Sequence, residues 1–204
     1  MLFKAKSLII SSMETNFLTN TLILASLVTQ LQGCAVAVLP AAATGMVMAQ
    51  DRRTTGTIID DKSIEVKAMH ALAHTPEVWR QSHITCVSYN NIVVLLGQAP
   101  TEALRQQVEQ IVSDIPKIQR IHNEITIEAP ISLAQRSRDS WITTQIKAKM
   151  LNNKSVKFNR VKVITENNVV FLMGLATAEE EEAATDIARQ ISGVEKIIQI
   201  FERM

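Results

Sequence analysis

The sequence predicts an α+β fold written twice: two tandem αββαβ domains, each a three-stranded mixed sheet with two helices packed on one face. Three observations predict it. The segment "NNIVVLLGQAPTE" (90–102) recurs as "NNVVFLMGLATAE" (167–179), displaced by 77 positions. Each occurrence sits between two helix-periodic stretches and is followed by a final β-like run. The composition, 47% apolar and 20% charged with a net charge of +1, suits a globular protein and excludes a mostly disordered chain.

The chain starts with an apolar region unlike the rest. Lys4 and Lys6 give a weakly positive start, and "FLTNTLILASLVTQL" (17–31) is too short to span a bilayer comfortably. It resembles the hydrophobic region of a secretory signal peptide. "LQGC" (Leu31–Cys34) resembles the bacterial lipobox, whose cysteine receives lipid and becomes the new N-terminus. Residues 1–33 are therefore expected to be a lipoprotein signal peptide, with Cys34 the lipidated residue. Ala35, and not Asp, follows the cysteine, which by the same resemblance favours the outer membrane. Several acyl chains hold such a protein firmly, at roughly 0.8 kcal/mol per buried methylene. Losing Lys4, Lys6 and Glu14 leaves acidic and basic side chains in balance. A neutral chain argues against nucleic acid as a partner.

Residues 34–59 hold small apolar residues, a Pro, two Gly and an Arg pair without a sustained period, and read as a lipidated N-terminus and flexible tether. The first domain is expected over 60–128, a linker over 129–137 and the second domain over 138–204. Each opens with a helix whose core stripe is Asp61, Ile64, Ala68 and Leu72, or Asp139, Ile142, Ile146 and Met150. Asp139 reads as that helix's N-cap. A strand (83–89, 160–166) then turns through Asn90–Asn91 or Asn167–Asn168, residues that tolerate the positive φ of a tight hairpin. The returning strand closes at Gly97 or Gly174. A second helix (101–114, 178–191) leads to the last strand, laid parallel by the crossover.

The αββαβ order, the "NNxVxLxG" hairpin and the "SGV" before the last strand (192–194) resemble the BON domain of bacterial envelope proteins. Two such domains behind a lipobox, with "DSWITTQIKAKML" (139–151) opening the second, resemble the dual-BON outer-membrane lipoproteins. Copy one departs at "DIPKI" (114–118), where Pro116 stands in the place of the small residue, so its second helix is expected to end differently.

On a helical wheel Trp141 lies about 140° from the centre of the Ile142–Ile146–Met150 stripe, so its ring is expected to point outward. Thr144, Gln145 and Ala148 share its side, and Lys147 and Lys149 flank it. Copy one has Ser63, Met69 and Ala71 at the positions of Trp141, Lys147 and Lys149. An exposed indole between lysines suits a lipid–water boundary with anionic head groups. The resemblance implies the same: anionic phospholipid (phosphatidylglycerol or cardiolipin) bound through this helix with its Trp inserted. It also implies support of envelope integrity from the periplasmic face, including at division sites. Two alternatives stay open. The ring could pack against the other copy or the linker, or the protein could be an interaction scaffold. In the scaffold, a sheet face or this helix docks a partner such as the outer-membrane assembly machinery.

The remaining candidates are weak. His70 and His74 are one helical turn apart but lack a third ligand, so no metal is expected. "EEEE" (179–182) suits the first turn of a helix. Trp79 is expected to cap the core of copy one, and Cys86 to be a small buried hydrophobe. No phosphate loop, nucleophile elbow or duplicated carboxylate pair is present, so neither enzyme activity nor a cofactor is expected.

Overall fold

In the computed structural model, residues 51–153 and 155–204 are described. The expected signal peptide, Cys34 and the tether up to residue 50 lie outside the described residues. The described residues belong to one compact unit. In copy one the elements are α1 (Thr55–Ala73), α2 (Pro76–Gln81), β1 (His83–Tyr89), β2 (Ile92–Ala99), α3 (Glu102–Ser113) and β3 (Arg120–Ile127). Copy two has α4 (Leu133–Leu151), β4 (Val161–Glu166), β5 (Val169–Ala176), α5 (Ala178–Arg189) and β6 (Lys196–Arg203). In each sheet the middle strand pairs antiparallel with the first and parallel with the last, the mixed topology expected.

Two helix starts and one additional helix differ from the sequence reading. Helix α1 starts inside the expected tether, because Thr54 accepts the Thr57 N–H at 3.1 Å and caps it. The Arg pair before it is fastened: Arg53 bonds Asp51 and Asp61, and Arg52 pairs with Glu180 on α5. Helix α4 starts inside the expected linker, where Ser132 caps Gln135, so Asp139 lies well inside the helix and is not its N-cap. Copy one also carries a third helix, α2, with Pro76 in its first turn.

The hairpins are as expected. Asn90, Asn91, Asn167 and Asn168 have φ of 52°, 64°, 48° and 63°, the paired positive values of a type I′ turn. Asp61 and Asp139 hold these turns. Asp61 accepts the N–H groups of Asn90 and Asn91, both at 2.8 Å, and Asp139 accepts those of Asn167 and Asn168 at 2.9 and 3.0 Å. A buried carboxylate on the first long helix therefore closes each hairpin, docking helix and sheet together. Copy one's "DIPKI" does not shift its helix end: α3 and α5 each run 12 residues. Lys117 takes φ 77° where Gly193 takes 93°, and its ammonium bonds Asp60 at 2.6 Å.

All eight residues of β2 are buried, because both of its faces are covered. Val93, Leu95 and Ala99 meet the helices of copy one, while Val94 and Leu96 meet Phe171 and Met173 of the other sheet. The two sheets thus pack face to face with helices outside, four layers around three apolar clusters. Each fully buried Leu or Phe in them contributes roughly 1.5–3 kcal/mol. The expected docking surface on an exposed sheet face is not available, since those faces are covered by each other. Polar links fasten the joint: Lys162 reaches Glu65 at 2.6 Å, Asn90 reaches Glu202 at 2.7 Å and Gln98 reaches Glu166 at 2.8 Å.

Glu166 is an uneasy member of that joint. Burial, reinforced by the charges of Asp139 and Glu128, raises its carboxyl above the ordinary value despite Gln98 and Arg136. A raised folded value means the stabilising form is the protonated one, present at low pH and lost as pH rises through that value. Glu166→Gln keeps the acceptor for Gln98 and is expected to raise the melting temperature at pH 7 by about 2–4 °C. That gain should vanish near pH 4, about the unfolded-state value. Thermal melts of both forms across pH 4–8 check it.

Candidate functional site

Helix α4 presents the one surface on which the sequence candidates converge. Its inner stripe is Asp139, Ile142, Ile146 and Met150, all buried, as expected from the wheel. Trp141 is 65% exposed and rules out the reading in which its ring packs against the other copy or the linker. Thr144, Ala148, Lys147 and Lys149 are exposed beside it, and Gln145 is half-buried at the edge.

The outer face extends further than the sequence reading allowed. Leu133 and Leu151 are 77% and 58% exposed. They lie about five turns apart, on the Trp141 side of the wheel. Their signal was present in the sequence as two leucines away from the core stripe. The intervening hydroxyls are turned back on the helix: Ser137, Ser140 and Thr144 donate to the carbonyls of Leu133, Arg136 and Ser140 at 3.0, 2.9 and 2.8 Å. Such hydroxyls offer less to water, so the face is more apolar than its composition.

Charge on this face has one sign. Neither Lys147 nor Lys149 forms an ion pair among the described residues, and Arg138 stands exposed on the same helix. The single acidic residue of α4, Asp139, is buried and used by the hairpin. The face therefore combines an indole, two leucines and unpaired cations without an exposed carboxylate. On α1 the matching Ser63, Met69 and Ala71 are half-buried, so copy one lacks the indole and its two flanking lysines. Lys147 also lines, with Phe158, a cleft of about 470 Å³ between the copies, and Phe158 is 43% exposed there. The acidic groups in that cleft are occupied: Glu65 by Lys62 and Lys162, Asp61 by Arg53.

The other candidates fall elsewhere. Trp79 does not cap the core of copy one; it is 55% exposed, and its neighbour Val78 enters the core instead. A six-residue helix turns adjacent side chains to different sides, which a loop reading could not resolve. His70 and His74 stack with ring centroids 4.1 Å apart, and the His74 ring bonds the His70 carbonyl. Among the described residues no three metal-ligating side chains cluster. Of the four glutamates, Glu180 completes a capping box with Thr177 and pairs with Arg52 and Arg160. Cys86 is buried, which pushes its thiol up to about 12 and leaves it inert. No helix among the described residues is long and apolar enough to cross a membrane.

Comparison with known proteins adds a family. The model of the BON domain matches residues 60–129 and again 138–200. "Outer membrane lipoprotein DolP" of Haemophilus influenzae is 41% identical over 172 residues, covering 84% of this chain and 89% of that one. "21 kDa hemolysin" of Actinobacillus pleuropneumoniae is 39% identical, covering 74% of this chain and 78% of that one. Among solved structures, CdsD, a structural protein of the type III secretion system of Chlamydia trachomatis, aligns over 67% of this chain and 92% of its own. Its TM-score of 0.28 at 9% identity carries no argument.

Proposed function

The chain belongs to the BON-domain family, and from that premise we propose that it is a non-enzymatic outer-membrane lipoprotein that grips anionic phospholipid through the outward face of α4. The observation that carries this reading is the exposed Trp141 on a face of unpaired cations with no exposed carboxylate. An indole at such a face gains by settling among head groups, and each nearby lysine adds about 1 kcal/mol against an anionic surface. Cys34 in "LQGC" supplies the anchor, and the name of the Haemophilus relative, an outer membrane lipoprotein, supports the location. Anchored there on the periplasmic side, the protein supports envelope integrity by gathering where phosphatidylglycerol or cardiolipin concentrates, division sites included.

Flotation of residues 45–204, which hold the compact unit and lack the lipid anchor, tests this. The unaltered protein is expected to float with phosphatidylglycerol or cardiolipin vesicles and not with phosphatidylcholine. Binding should weaken as salt screens the lysines. Trp141→Ala should cost about tenfold or more in vesicle affinity. Its melting temperature should stay within about 2 °C, because an exposed side chain is removed. If the folded Trp141→Ala protein floats like the parent, the ring is not the contact. If neither floats, the search turns to a protein partner, the outer-membrane assembly machinery among them.

A further inference from the structure

A second cavity, of about 460 Å³, lies between the copies, where the end of α2 and the start of β1 face the first turns of α4. Leu72, Val78, Ile84 and the ring of Trp79 form its apolar walls, and Ser82, His83 and Arg136 are its polar lining. Two of those polar groups converge without partners: Ser82 Oγ and Arg136 Nε are both buried and reach no hydrogen-bond acceptor or donor. Such atoms are costly to leave unmade, and two in one cavity are unusual for a folded chain.

Arg136 stands out among the arginines. Arg52, Arg53, Arg105 and Arg160 are half-buried like it, and each forms a salt bridge. Arg136 forms none among the described residues, although carboxylates are near. Asp139 and Glu166 share an adjoining cavity with it, but Asp139 is committed to the hairpin amides and Glu166 to Gln98. His83 adds no competing charge, since burial and the Arg136 guanidinium push it below its ordinary value. The cavity volume falls in the range of small-molecule sites, which pair apolar walls with a few converging polar groups.

We propose that this cavity binds a small amphipathic anion, an aliphatic carboxylate. Its chain lies along Leu72, Val78, Ile84 and Trp79, and its head is taken by Arg136 and Ser82. A guanidinium fork matches a carboxylate in two hydrogen bonds, and a hydroxyl donates a third. The ligand bridges the two copies, because its walls belong to copy one and its cation to copy two. This site is separate from the outward face of α4 and stands or falls apart from it.

Trp79 makes the test direct. In residues 45–204 carrying Trp141→Phe, Trp79 is the remaining tryptophan. Sodium octanoate, titrated below micelle formation, should shift its emission with saturation. Octanol, the same chain without charge, should bind about tenfold more weakly or worse. Arg136→Gln should weaken octanoate by about tenfold. Arg136→Lys should retain part of the binding. Ser82→Ala, which removes one buried hydroxyl, gives a milder second variant should Arg136→Gln fail to fold. A lysophosphatidylglycerol arm separates the two sources of such an anion. A response to octanoate, with or without one to the lysolipid, supports a carboxylate site, whereas a response to the lysolipid alone overturns that assignment. No saturable shift with octanoate, equal binding of octanol, or full binding by folded Arg136→Gln overturns the proposal.

Discussion

Gly97→Ala is expected to cost more than about 4 kcal/mol and to leave little cooperative unfolding to measure. A Cβ at this position would run into the backbone oxygen of His83, and the residue sits at φ 115°. Neither problem relaxes locally, since His83 belongs to β1 and Gly97 pairs directly with Ile84. Gly174→Ala meets a softer obstacle, with the added carbon 2.5 Å from the Arg160 oxygen and no positive φ, so it should destabilise less. Gly56→Ala has only Thr54 Oγ1 at 3.7 Å and lies in α1, where alanine should gain up to about 1 kcal/mol. Urea melts followed by circular dichroism should rank the three in that order. A Gly97→Ala protein as stable as Gly174→Ala would contradict this account of β2.

Asp61→Ala should be the next most damaging change, at about 3–5 kcal/mol, or roughly 10 °C in melting temperature. Asp61 is 3% exposed and accepts four bonds. They come from the Asn90 and Asn91 amides, the Ser88 hydroxyl at 2.7 Å and the Arg53 guanidinium at 2.9 Å. Truncation strands the buried Ser88 hydroxyl and both turn amides, while Arg53 keeps its pairing with Asp51. Asp139→Ala removes the equivalent carboxylate of copy two, whose third donor is the neutral Gln135 amide in place of a guanidinium. Its cost should therefore be smaller, about 2–3 kcal/mol. Thermal melts of the two variants decide the order, and a larger loss for Asp139→Ala would show that the guanidinium contributes nothing.

Much of the fold was legible because it was written twice. The repeated "NN" and "VxLxG" marked the hairpins, and the matched stripes of Ile64 and Ile142 marked the helix faces. The outward Trp141 followed from its angle to that stripe alone. What escaped was information carried by distant partners. Asp61 and Asp139 aligned in the repeat, yet a carboxylate in that place reads locally as a helix cap. Its true partners lie some thirty residues on, in a turn. The start of α4 depended on Ser132, which sits in a stretch rich in loop-like residues. The sheet-to-sheet packing did leave a trace: "IVVLLGQA" (92–99) is apolar at successive positions, the mark of a strand covered on both faces. Trp79 could not be placed without α2, because on a single turn one residue's shift decides between core and surface.

The layer between the sheets is built from corresponding residues. At the 77-position displacement Val94 and Leu96 become Phe171 and Met173, and Val87 becomes Ile164, all within one apolar cluster. A surface that meets its own counterpart is the signature of a twofold dimer. The tandem chain is thus such a dimer with its halves fused by a peptide bond. Free halves would separate on dilution, whereas fused ones hold each other at a fixed, high local concentration. Fusion also breaks the equivalence of the halves: one copy can carry an indole on its outer helix while the other keeps serine. A protein built this way stays assembled at a handful of molecules per cell and turns one defined side toward its surroundings.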